Sequence, residues 1–197
     1  MPRIRVSGCA LVVMTAGLLL AAPAAAEVHR FGVFSVSDEE PEIMLLDGYI
    51  RFESADDFRA ALEAFPDVKV LDLHSQGGNV GGGLRIAEEV FARRIDTYVG
   101  DQNWCYSACS YVFFAGEERV AAGEIGVHQI VPNAETVTQI EFERATQGLV
   151  RALKTYLVPQ QVIDDMLATP NGEMRVYSRW ASEALGINRG EVVGALP

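Results

Sequence analysis

Ser107 stands between two cysteines in the run Cys105-Tyr-Ser-Ala-Cys109, and His128 follows in Gly-Val-His-Gln-Ile (126–130). A serine becomes a nucleophile only when a base within hydrogen-bond reach takes its proton and donors await the oxyanion that forms. His128 is the candidate base. The candidate source of donors lies upstream, in the glycine-rich run Ser75-Gln-Gly-Gly-Asn-Val-Gly-Gly-Gly83. Consecutive glycines between a strand and a helix let the backbone turn tightly and aim N–H groups into a cleft, with the positive end of the helix behind them. The run has no Gly-Lys-Ser/Thr and no G-x-G-x-x-G spacing, so it is neither a P-loop nor a dinucleotide fingerprint. The plainer readings are a packing turn for the glycines and an ordinary N-cap for Ser107.

Cys105 and Cys109 lie four residues apart across the expected start of a helix, within reach of a disulfide that would clamp the segment carrying Ser107. A thiol nucleophile at either position is the weaker reading, because an exported chain meets an oxidising compartment. No second ligand pair accompanies the cysteines, so no metal site is expected, and nothing calls for a cofactor.

These groups need elements to hold them. Residues 28–37 and 42–52 read as strands, 54–65 as a helix with Ser54 as its N-cap, and 67–75 as a strand. Residues 80–94 open on glycines and continue as an amphipathic helix, followed by a short buried strand over 95–100. A helix is expected from about Ser107, then strands at 118–122 and 125–130. Strands alternating with helices at this spacing imply βαβ units and a mostly parallel sheet. Beyond His128 the pattern turns helical, with a long polar-faced helix over 133–157, a second from Pro159, and a turn at 170–172.

The N-terminus reads as a targeting signal. Arg3 and Arg5 precede an apolar run over 10–22, and Ala-Pro-Ala-Ala-Ala-Glu closes it, which predicts cleavage after Ala26. The mature chain would be a single domain over 27–197, periplasmic or secreted; a membrane anchor is the lesser alternative. The full chain carries a net charge of −11, and removal of the two signal arginines makes it −13. A surface this acidic argues against nucleic acid or anionic lipid as a partner.

Three motifs together resemble the ClpP/crotonase superfamily, nearest to secreted ClpP-like serine peptidases. Ser75, Gln76, Gly77, Gly78 and Gly83 resemble that family's S-P-G-G loop and its later glycine, with Gln76 in place of proline. Ser107 followed by Gly116 resembles its nucleophile block, and His128-Gln129 its H-Q strand end. The resemblance implies an α/β fold: a ββα superhelix with a mostly parallel sheet and a C-terminal helical handle. It implies Ser107 as nucleophile, His128 as general base, and an oxyanion hole from the amides of Gly77 or Gly78 and of Ala108. A homo-oligomer and a peptide or unfolded-polypeptide substrate are also implied. Export would separate the chain from any cytoplasmic ATP-driven unfoldase and from acyl-CoA thioesters.

The chain departs from the family pattern at the triad acid. Counting back from the Ala-Ser-Glu-Ala-Leu-Gly-Ile stretch (181–187) puts Met174 at that position. Glu173 substitutes if the turn shifts by one residue; the plainer reading of Glu173 is a solvated carboxylate. Lys154, on a helix after the serine, is an alternative base by similarity to Ser–Lys relatives, with a surface role as its plainer reading. His74 reads as structural. A catalytically impaired binding or assembly protein on the same fold is therefore the competing expectation.

Overall fold

The computed structural model describes residues 26–130 and 138–190. The expected signal segment and the expected helical start at 133–137 lie outside the described residues. Among the described residues no helix is long and apolar enough to cross a membrane.

The chain begins with a hairpin, β1 (Val28–Phe31) and β2 (Phe34–Ser37), where one strand was expected. Gly32 has φ 59° and occupies the two-residue turn that pairs Phe31 with Phe34, a backbone that favours glycine. Strand β3 (Glu40–Asp47) returns antiparallel to β2. From there the sheet is parallel, through β4 (Val70–His74), β5 (Asp96–Val99) and β7 (Arg119–Ala121), giving the order β1-β2-β3-β4-β5-β7. Helices α1 (Ser54–Ala64) and α2 (Val80–Arg93) make the crossovers between β3, β4 and β5, and α3 (Ala108–Phe114) lies between β5 and β7.

Alternation along the strands supplies the core. Phe34, Val36, Met44, Leu46, Leu71, Leu73 and Val99 are buried on one face, where Phe58, Ile86, Val90 and Val112 of the three helices join them in one cluster. The first two helices start differently. Asn79 caps α2, its side chain accepting from the Gly82 N–H at 2.9 Å. Ser54 is not the N-cap it was expected to be: it is the first residue of α1, and its hydroxyl accepts from the Arg51 N–H at 3.0 Å.

A second, smaller sheet went unforeseen. Strand β6 (Trp104–Tyr106) pairs parallel with β8 (Glu124–Val127), which pairs antiparallel with β9 (Arg175–Tyr177). Helices α4 (Gln139–Thr155) and α5 (Gln160–Ala168) form the handle, and α6 (Arg179–Ala184) follows β9. Thr138 and Glu141 form a reciprocal capping box at the start of α4.

Arg119 joins these layers. It is 1% exposed and donates to the carbonyls of Phe114, Tyr156, Leu157 and Ile187, the ends of α3 and α4 and the segment after α6. Burial, and to a lesser degree the charge of Arg189, lower its pKa to about 10.

Candidate active site

The two sheets meet just before Ser107, where Ser75 after β4 bridges Cys105 of β6. Strand β6 delivers Ser107 and α3 starts immediately after it, so the serine occupies a sharp strand-to-helix corner. Its backbone sits at φ 54°, ψ −122°, a region that residues with a Cβ seldom occupy. Three hydrogen bonds hold it there: the Ser107 N–H donates to the Gly126 carbonyl at 2.9 Å, and the Ser107 carbonyl accepts from the Ser110 N–H and hydroxyl at 2.9 and 2.7 Å. Cys105 and Cys109 form a disulfide across the corner, with Cα atoms 5.2 Å apart. The cross-link ties the last part of β6 to the first turn of α3. Among the described residues the Ser107 hydroxyl makes no hydrogen bond, which leaves it available to solvent or substrate.

The glycine loop approaches from β4. Ser75 Oγ donates to the Gly48 carbonyl and accepts from the Gly77 N–H at 3.0 Å, so the Gly77 amide is already engaged. The Gly77 carbonyl takes the Ile50 N–H, and the Asn79 N–H donates to the Ile50 carbonyl. Between them the Gly78 N–H donates to no group among the described residues. The same is true of Ala108, whose N–H is one of the unpaired amides at the start of a helix. The loop and the serine corner touch. A Cβ on Gly77 would lie 2.8 Å from the Ser107 Cβ and 2.9 Å from the Ala108 nitrogen. Of the sequence candidates for an oxyanion hole, Gly78 and Ala108 have free amides and Gly77 does not.

His128 follows β8 directly and is half-buried. The β6–β8 pairing sets Tyr106 beside Gly126, which brings His128 to the same end of the small sheet as Ser107. No hydrogen bond joins the two side chains. His128 Nδ1 lies 2.8 Å from the Gln129 carbonyl oxygen. A carbonyl only accepts, so this contact requires the proton on Nδ1 and leaves Nε2 as the basic nitrogen. The Gln129 carbonyl thus does for the ring's tautomer what an acid does in a triad. Sequence reading could not find it, because every residue carries a carbonyl.

The remaining candidates stand apart. The β8–β9 register sets Val127 against Arg175, and a Cβ on Gly126 would lie 2.8 Å from Met174 Sδ. Glu173 is exposed on the preceding turn, its N–H bonded to the Pro170 carbonyl, and no bond links it to His128. Asp165 accepts from the Tyr177 hydroxyl at 2.7 Å and lies 3.6 Å from Arg175 Nε. Lys154 is exposed in the last turn of α4, with no contact to Ser107. His74 Nδ1 lies 3.2 Å from Asp47 Oδ1, its ring packs nearly perpendicular to Trp104 with centroids 4.4 Å apart, and its Nε2 has no hydrogen-bond partner.

An apolar groove of about 290 Å³ opens between α2 and α4, lined by Val80, Leu84, Ile130, Leu149 and Tyr156 among others. Val80 lies two residues after Gly78 and Ile130 two residues after His128, so the groove is lined in part by the segments that carry those residues.

Among known proteins, the fold is the recognisable part. Neither a family profile nor a curated protein sequence matches the chain. Solved structures do. ClpP1 from Listeria monocytogenes superposes with a TM-score of 0.60 at 19% identity, over 76% of this chain and 89% of that one. The N165D mutant of the same ClpP1 gives a TM-score of 0.56 at 20% identity, over 76% of this chain and 90% of that one. The chain has a ClpP/crotonase-like α/β fold.

Proposed function

We propose that the chain is an exported serine peptidase of ClpP-like fold. Ser107 attacks the scissile carbonyl, His128 Nε2 accepts its proton, and the Gly78 and Ala108 amides receive the oxyanion. The imidazolium gives that proton to the departing amine; the serine carries the acyl group until water, deprotonated by the neutral imidazole, releases it as the carboxylic acid and the proton returns to Ser107 Oγ. One observation carries this reading: the strained backbone of Ser107 at a strand-to-helix corner, with two unpaired amides beside it. A structural N-cap does not need the positive φ, and the free Gly78 amide belongs to a separate loop and not to the helix start. Closing the Ser107–His128 distance on substrate binding is in keeping with apo sites whose catalytic bonds form only in the complex. The groove between α2 and α4 suits an apolar side chain of the substrate. The signal segment supports a periplasmic or secreted location, and the neighbours' fold supports a homo-oligomer built through the handle helices α4 and α5.

A fluorophosphonate probe tests the nucleophile. It is expected to label the wild-type chain at Ser107 and to leave Ser107→Ala unlabelled. Labelling that survives the substitution would refute the assignment. A second reading has its own observation, the methionine at the position of the triad acid. On that reading the fold is an assembly or binding module, and a folded chain would show neither labelling nor turnover across a peptide library.

A further inference from the structure

The hairpin at the start of the fold gathers three metal-ligating side chains that the serine site does not use. Glu27, His29 and Asp38 each offer one ligand atom, and all three atoms lie within 4.8 Å of one another. Their placement follows from the register. Glu27 and His29 are two residues apart and share a face at β1, and the Asp38 N–H donates to the Glu27 carbonyl at 3.0 Å, which sets Asp38 across from Glu27. The imidazole distinguishes this trio from a patch of surface carboxylates. Its ring is held against Phe65 at 5.1 Å, and His29 Nε2 lies 2.9 Å from Asp38 Oδ1.

A second observation comes from the chain itself. The Glu27 nitrogen donates to no group among the described residues. Cleavage after Ala26, which the signal sequence predicts, would turn that idle amide into a free α-amine on a residue of the trio itself.

We infer that the mature N-terminus is a zinc-class metal site, with the His29 imidazole, the Glu27 and Asp38 carboxylates and the Glu27 α-amine as its four ligands. Two nitrogens and two carboxylate oxygens suit a closed tetrahedral Zn²⁺ site with bonds of about 2.0–2.2 Å. The ion replaces the proton shared by His29 and Asp38, and the two ligand atoms need to part by only about half an ångström. The amine ligand rests on the export reading and is independent of Ser107 chemistry. Sequence reading missed the trio because the ligands come from two strands and carry no motif spacing.

The test is titration of ZnCl₂ into the chain beginning at Glu27, followed by calorimetry. One ion per chain is expected to bind at micromolar or tighter affinity. His29→Ala and Asp38→Asn are each expected to weaken it at least tenfold, and a chain with one extra residue before Glu27 likewise. Binding that is only millimolar, spread over several ions, or unchanged in His29→Ala would overturn the site. Undiminished binding by the extended chain would overturn the amine ligand. Circular dichroism of each variant separates a lost ligand from a lost fold.

Discussion

Met174 lies over Gly126, its Sδ 2.8 Å from where a Cβ on that glycine would sit, just past the last β8–β9 pair, Val127 with Arg175. The thioether therefore covers the strand that leads into His128, and the imidazole turns to its neighbour's carbonyl.

Placing an acid there is a direct test of the proposed base. Met174→Asp puts a carboxylate beside the strand that leads into His128, where it would orient the ring and stabilise the imidazolium formed when Ser107 gives up its proton. Peptide hydrolysis is expected to rise about tenfold or more. The measurement is kcat on a fluorogenic peptide; an unchanged or lower value in a folded variant would mean that His128 is not the base.

Gly77→Ala should damage fold and site together. The new Cβ would fall 2.4 Å from the Tyr106 carbonyl oxygen, at a backbone φ of 91° that side chains disfavour. A stability loss of at least about 2 kcal/mol is expected from strain and displacement together. Chemical denaturation reads the stability, and probe labelling of Ser107 reads the displaced corner.

Removing the disulfide separates clamp from chemistry. With Cys105 and Cys109 both changed to serine, the cross-link closes so short a loop that its chain-entropy contribution is about 2 kcal/mol. The melting temperature should fall by roughly 4–8 °C for a chain of this size. Labelling of Ser107 should fall more than that, because the bridge spans the strained residue itself. Labelling at the wild-type rate would show that the hydrogen bonds at Gly126 and Ser110 hold the corner unaided.

Asp72 offers a pH-dependent prediction. It is buried on the sheet face away from the helices, in a hollow of about 380 Å³, with Oδ1 unpartnered. Burial raises its pKa above the ordinary 3.8, partly offset by the Leu73 N–H and by His74. A carboxyl whose folded pKa is raised costs stability at neutral pH, and that cost fades as the pH falls through the folded pKa towards 3.8. Asp72→Asn should therefore stabilise the chain at pH 7, with the gain vanishing in acid. Thermal melts across that range check it; a gain that persists below the ordinary carboxylate range would point to packing instead of charge.

The sequence carried the architecture further than the geometry. Strand–helix alternation and the glycine run announced the parallel sheet and its crossovers, because amphipathic periodicity is local. Strand β6 escaped because three residues beside a cysteine give no alternation to read, and its partner β8 is nearly twenty residues away. Ser54 misled because a serine at a helix start has two local bonds open to it, and the Arg51 amide took the hydroxyl. At the site, residue types were legible and occupancy was not. Nothing in Gly-Gly told that one amide would be taken by Ser75 and the next left free. Counting back from the 181–187 stretch gave Met174 a place along the chain, and the side chain's position over Gly126 was not legible from it.

Arg119 has a consequence for how the molecule opens. Its one guanidinium holds carbonyls from residues 114, 156, 157 and 187, and its backbone exchanges two hydrogen bonds with Arg189. Releasing any one of these segments strands a buried cation, so the others lose their donor as well. The handle and the C-terminal segment should not fray from the sheet one at a time. In hydrogen exchange, amides at the end of α3, the end of α4 and residues 187–189 should behave as one cooperative unit, opening together or not at all.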